Sequence, residues 1–243
     1  MNNLSIIIPF LAGISTIIGY LPTYLPRRYQ NTIIPMSIAF SSSVMTLISI
    51  FSLIPESFNY LKGVAFKNIL IVLISINIGI IISNYTNKTL DNNNSKLYKL
   101  GIISLLAIIL HNIPEGIITY LTTNNNLRLG ITLSIGIALH NIPEGIAIAI
   151  PIYYSTNNRL KALLYTSISG FSELLGAVFA HIFLKNIYNN LLLSLILSIT
   201  AGIMINLSIK DLLPTSLSYN NKKITLLGLI LGIIILIICK IIN

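Results

Sequence analysis

The chain has 243 residues, of which 54% are hydrophobic and only 9% charged, against about 25% charged in an ordinary soluble domain. With a mean hydropathy of +0.86 and apolar runs near 20 residues, it reads as an integral membrane protein built from helices rather than barrel strands. A net charge of +9 would point to nucleic acid in a soluble chain, but here most Lys and Arg fall in short loops between apolar runs, so no nucleic-acid partner is expected. The single Cys239 excludes an intrachain disulfide framework and a thiolate metal site.

Eight spans are predicted, over residues 4–22, 33–54, 68–85, 99–121, 128–152, 161–184, 190–213 and 224–242. The first lacks a preceding basic region and a following small-residue cleavage site, so it reads as a membrane helix rather than a leader. Pro22 and Pro26 close it, and Arg27 and Arg28 mark the loop beyond. Residues 84–99 form an Asn-rich loop, and Asn pairs or triplets at 124–126, 157–158 and 220–221 punctuate later turns. No loop is large enough for a soluble domain, so residues 1–243 are expected to form a single transmembrane domain. With both termini outside, ten of the fifteen basic residues fall on the inner side, which is the orientation the positive-inside rule favours.

Two segments repeat at a common offset. Gly13-Ile14-Ser15-Thr16 with Gly19 resembles Gly170-Phe171-Ser172-Glu173 with Gly176, 157 residues on. Leu53-Ile54-Pro55 through Tyr60 resembles Leu212-Leu213-Pro214 through Tyr219, 159 residues on. Spans 1–3 then correspond to spans 6–8, with spans 4 and 5 as a central pair. Five spans separate each element from its copy, so the copies run in opposite directions, the inverted 3+2+3 plan of secondary transporters.

The sharpest signal lies in the central pair. His111-Asn112-Ile113-Pro114-Glu115-Gly116 and His140-Asn141-Ile142-Pro143-Glu144-Gly145 are two copies of one hexapeptide. An ionisable residue at the centre of a membrane helix costs roughly 2.5–3.5 kcal/mol on insertion scales, so groups in this number need partners. At about 100° per residue, Glu lies some 40° from His, between His and Asn on one face. It can serve a cation on either side or bridge two. Paired His, Asn and Glu make a mixed N/O shell that suits Zn²⁺, Fe²⁺, Mn²⁺ or Co²⁺ better than Ca²⁺ or Mg²⁺. Pro114 and Pro143 free the carbonyls at Leu110 and Leu139, and the glycines permit close backbone approach. A structural His–Glu hydrogen bond or a proton relay are the plain alternatives; duplication of the whole set argues against them.

Of six carboxylates, Glu115, Glu144 and Glu173 lie mid-span, and Glu173 is expected beside the hexapeptides. His181, about 80° round the helix from Glu173, reads as a structural or path residue. Asn77 and Asn206 read as helix-packing groups. Glu56 and Asp211, near span ends, are explained by interfacial solvation, with a vestibule role as the alternative.

On these residues the chain resembles the ZIP family of divalent metal transporters, most closely its GufA/ZupT-like branch. The resemblance rests on the paired motifs on spans four and five, on Ser169-Gly170-Phe171-Ser172-Glu173 on span six and on the eight-span layout. It implies a binuclear site: one metal at His111, Glu115, His140 and Glu144 with Met45 as a thioether candidate, the other at Asn112, Glu115, Asn141, Glu144 and Glu173. Met45 enters through the small-residue run Ala39 to Val44. The resemblance also implies a homodimer and a moving metal-bearing bundle. Two departures stand out: residues 84–99 contain no His, where some relatives have a His-rich loop, and Lys210-Asp211 stands where relatives often carry an acidic pair. The expected function is non-ATP-driven import of divalent transition metal across the plasma membrane, zinc first, then iron, manganese, cobalt or cadmium. The metal is cargo, and no catalytic cofactor is expected. A passive channel is the alternative. An intramembrane metallohydrolase would need a Glu directly after the first His and a second His at i+4, where this chain has Asn and Glu.

Overall fold

The computed structural model describes residues 4–88, 95–184 and 189–242. The described residues are almost wholly helical. Helix α1 (Leu4–Ile18) leads through two short 3₁₀ turns into α2 (Gln30–Ile48). A π turn, Ser49–Leu53, carries α2 into the short α3 (Ile54–Tyr60). Then follow α4 (Phe66–Lys88), α5 (Lys96–Asn125), α6 (Leu127–Thr156) and α7 (Arg159–Phe179). Helix α8 (Asn190–Leu207) ends like α2, with a π turn, Ser208–Leu212, and a short α9 (Leu213–Leu217), before α10 (Lys222–Ile242). Seven stretches among the described residues are long and apolar enough to cross a membrane, and α10 adds a further 21-residue helix. The chain is an integral, multi-pass, all-α membrane protein.

Asparagine does the punctuation. Asn126 alone joins α5 to α6: its amide donates to the Thr122 carbonyl at 2.7 Å, and its side chain accepts from the Leu129 amide at 3.2 Å. One residue thus closes one helix and caps the next. Asn157 ends α6 with φ near 55°, a left-handed conformation that Asn tolerates, and Asn158 caps α7 by accepting from Lys161. The tight reversal at Asn126 makes α5 and α6 an antiparallel hairpin. His111 lies fifteen residues before Asn126 and His140 fourteen after it, each roughly 20 Å along its helix at 1.5 Å per residue. The two hexapeptides therefore meet at one depth.

Helices α1, α5, α6 and α7 pack on one another as a four-helix bundle, while α2 packs on α10 and α4 on α8. Contacts of α2 with α6 and of α8 with α5 join these groups. Most pairings come in matched sets: exchanging α1 with α7, α2 with α8, α4 with α10 and α5 with α6 turns α2–α10 into α4–α8, α2–α6 into α5–α8, and α5–α7 into α1–α6. Close approach in the bundle depends on two motif glycines. A Cβ on Gly116 would collide with the Glu173 carbonyl oxygen, and one on Gly145 with the Thr16 carbonyl oxygen. These are matched sites, and only a residue without a side chain lets the backbones come so near.

The consecutive serines of α2 reach three different elements. Ser41 Oγ donates to the Pro143 carbonyl at 2.5 Å, Ser42 Oγ to Ser208 at 3.0 Å and Ser43 Oγ to Leu229 at 2.9 Å. Asn206 joins α8 to α4 by donating to Ser83 Oγ at 2.9 Å. Asn77 differs from the packing role expected of it: it is exposed on α4 and donates to the Leu73 carbonyl of its own helix, because it points away from α8.

Candidate metal centre

The hairpin brings the two hexapeptides together with their polar faces in register. His111 Nε2 lies 2.9 Å from Glu144 Oε1, and His140 Nε2 lies 3.3 Å from Glu115 Oε1. Each histidine thus meets the glutamate of the opposite helix, not the one a turn away on its own. The first contact is short enough for an ion pair but is not aligned as a hydrogen bond, and both His111 nitrogens lack a hydrogen-bond partner. All four side chains are buried, as are Asn112, Asn141 and Glu173.

The asparagines tie the motifs to the flanking helices of the bundle. Asn112 Nδ2 donates to the Ser169 carbonyl on α7, and Asn141 Nδ2 to the Ala12 carbonyl on α1, both at 3.1 Å. Asn141 also donates to Glu173 Oε2 at 2.8 Å. Glu173 therefore sits against the second hexapeptide. Thr16 on α1 is buried with its hydroxyl unpaired.

The site carries more acceptors than donors. Asn112 Oδ1, Asn141 Oδ1, Glu115 Oε2, Glu173 Oε1 and both Glu144 oxygens are buried without a hydrogen bond. Burying such atoms unpaired is costly, most of all for a carboxylate. A divalent cation would satisfy them, and the donor set of imidazole nitrogen, carboxylate oxygen and amide oxygen fits zinc and its neighbours. Among the described residues, no three His, Cys, Asp or Glu side chains are grouped closely enough to hold an ion as they stand. The donors meet in pairs because each imidazole closes on the carboxylate across from it, so coordination requires these side chains to turn away from one another.

A cavity of about 390 Å³ runs from Glu56 and Tyr60 past Thr122 to Glu115 and His140. His111 and Glu144, both wholly buried, do not line it. At the opposite end the Arg27 and Arg159 guanidiniums lie 5.3 and 5.4 Å from the Tyr153 ring, and Lys161 lies 4.7 Å from Tyr98. Such contacts contribute about 0.5–1 kcal/mol each at exposed sites; they tie the α1–α2 connection to α6, and α7 to α6 and α5.

Met45 is fully buried on α2, one turn beyond Ser41, and packs in the apolar core. His181 lies away from the hexapeptides, with Nδ1 2.9 Å from the Tyr120 hydroxyl and the two rings edge to face. Glu56 lines the cavity mouth, its carboxylate accepting from Asn59 at 2.9 Å. Asp211 lies in the π turn that follows α8. Sequence reasoning missed Ser41, whose bond to a motif proline crosses between helices. Its signal was three consecutive serines in an apolar span, where one hydroxyl would have sufficed for packing.

The family model described as ZIP Zinc transporter matches residues 91–240. The chain is 32% identical to the zinc transporter ZupT of Clostridium perfringens, over 97% of this chain and 95% of the relative. It is 34% identical to the ZupT of Streptococcus mutans, over 95% and 94%, and 33% identical to that of Campylobacter jejuni, over 96% and 94%.

Proposed function

Since the chain belongs to the ZIP zinc transporter family, we propose that it is a secondary carrier that brings zinc into the cell through a two-metal site between α5 and α6. Iron, manganese, cobalt and cadmium are the candidate further cargoes. One ion would be held by His111, Glu115, His140 and Glu144, with Met45 able to add a thioether. The other would be held by Asn112, Glu115, Asn141, Glu144 and Glu173. The observation that carries the reading is the reciprocal pairing of His111 with Glu144 and His140 with Glu115, with unpaired buried oxygens on both motifs. Glutamates set between His and Asn are placed to serve both ions. Three ionised carboxylates nearly offset the charge of two divalent ions, and the cost of burying either set alone is removed.

A carrier is favoured over a channel because the cavity reaches His140 and Glu115 but stops short of His111 and Glu144. A channel needs a continuous path. Zinc entering this cavity would exchange water first for the half of the site nearest the opening. The other half would then complete the shell. The inverted 3+2+3 repeat, with both termini outside, supplies a route to the opposite access state. It is supported by the matched helix pairings and by the π turns ahead of Pro55 and Pro214. The cavity then opens outward, on the side of the α5–α6 turn. A homodimer follows from the family resemblance. The chemistry is binding and release, with no covalent step and no enzymatic turnover.

Uptake of Zn²⁺, Fe²⁺, Mn²⁺ and Cd²⁺ into liposomes holding the purified protein tests this reading, with Glu144→Ala beside wild type. Zinc uptake that saturates, shows counterflow and is lost in the variant is expected. Flux no greater than in empty vesicles, or equal in the two proteins, would sink it, and flux without saturation or counterflow would indicate a channel.

A further inference from the structure

One pair of asparagine bonds is matched within the bundle, but the serine bond that joins the bundle to α2 has no match on α8. Within the bundle, Asn112 to Ser169 and Asn141 to Ala12 are matched bonds of equal length, 3.1 Å. Across the boundary the match fails. Ser41 Oγ on α2 donates to the Pro143 carbonyl on α6. At the 159-residue offset that relates Pro55 to Pro214, the counterpart of Ser41 is Thr200 on α8. The same offset pairs Met45 with Met204, Ser49 with Ser208 and Tyr60 with Tyr219. The counterpart of the Pro143 carbonyl is that of Pro114, in the same place in the first hexapeptide.

Thr200 is buried, and its hydroxyl has no hydrogen-bond partner. A buried hydroxyl left unpaired is costly, and helical Ser and Thr usually avoid this by bonding back to a carbonyl of the preceding turn. Thr166 and Ser198 do so here, to Ala162 and Ser194. Thr200 does not. Leu197, three residues before it on α8, lines the cavity together with Glu115 and Ile118 of α5. Thr200 follows one turn further along α8, and α8 packs on α5 as α2 packs on α6.

We propose that Ser41 and Thr200 form an exchangeable lock that sets which side of the membrane the metal site faces. With the present cavity open, Ser41 holds the Pro143 carbonyl and Thr200 is idle. In the opposite state Ser41 lets go and Thr200 takes the Pro114 carbonyl. One hydrogen bond replaces an equivalent one, which keeps the two states close in free energy, and a small bias then suffices to shift them. The motif prolines gain a second role in this scheme, because their carbonyls are the points by which the bundle is held. The inference rests on the inverted-repeat carrier reading above.

The test follows access to the cavity without needing zinc. In a Cys239→Ser background, Leu133→Cys on the cavity wall is labelled with a membrane-impermeant maleimide. Ser41→Ala should slow labelling by roughly two- to ten-fold, the shift that one hydrogen bond's net contribution produces. Ser41→Thr should retain wild-type labelling, and adding Thr200→Ala to Ser41→Ala should return labelling toward it. Labelling unchanged by Ser41→Ala, or slowed by Thr200→Ala alone, would overturn the lock. Zinc flux with unshifted labelling sinks the lock and leaves the carrier; shifted labelling with no flux in the wild type sinks the carrier and leaves the lock.

Discussion

Replacing Gly116 by alanine separates two opposed effects by their sign. In an ordinary helix interior, Gly→Ala stabilises by about 1 kcal/mol, because alanine is the better helix former. At Gly116 the added methyl would land on the Glu173 carbonyl oxygen of α7, deep inside van der Waals contact. That oxygen is backbone and cannot swing aside, so α5 and α7 must part by something on the order of 1 Å. Overpacking of this kind costs roughly 1–3 kcal/mol. Set against the propensity gain, this leaves a net loss of up to about 2 kcal/mol, and at this chain length each kcal/mol shifts the unfolding midpoint by about 2–4 °C, a fall of up to roughly 8 °C. The same displacement draws Glu173 from Asn141, now 2.8 Å apart, so zinc uptake should fall further than stability does. Thermal unfolding of the purified protein in detergent, read beside liposome uptake, checks both. Gly145→Ala, aimed at the Thr16 carbonyl, should behave alike. A midpoint that rises, as helix propensity alone would make it, would mean that the helices do not approach as described, and the register of the two motifs would have to be redrawn.

Glu56→Gln should raise the zinc concentration for half-maximal uptake about two- to three-fold at low salt and leave the maximal rate alone. Its exposed carboxylate acts on cations at the cavity mouth through a screened field, so the difference should vanish at high salt. Zinc affinity, measured by competition with a chelating dye, should fall as the pH is lowered. The sign follows because ligation needs neutral imidazoles and ionised carboxylates, and each proton bound competes with the metal; affinity that rises on acidification would refute these ligands.

Much of this architecture is legible in the composition of the spans, and its failures have definite causes. Hydropathy locates the second span at 33–54, yet the helix continues through a π turn to Tyr60. The extension carries Pro55 and Glu56, which hydropathy counts against a span, but proline is welcome in the first turn of a helix. The helical wheel places each glutamate between a histidine and an asparagine. The wheel could not reveal that His111 meets Glu144 rather than Glu115, because the one-residue turn at Asn126 sets how two helices lie against each other. Glu173 was found by counting carboxylates, which are scarce in an apolar chain. Ser41 escaped because its partner is a carbonyl, and carbonyls carry no sequence signal.

In the proposed centre the two hexapeptides make one site bridged by glutamates. The direct measurement is the zinc bound per chain at equilibrium in purified wild-type protein and in Glu115→Gln, Glu144→Gln and the double variant. Two zinc ions per chain in the wild type are expected, with either single substitution weakening both and the double costing little more. If each single substitution removed one ion and left the other at wild-type affinity, the motifs would be two independent sites and the bridged centre would be wrong.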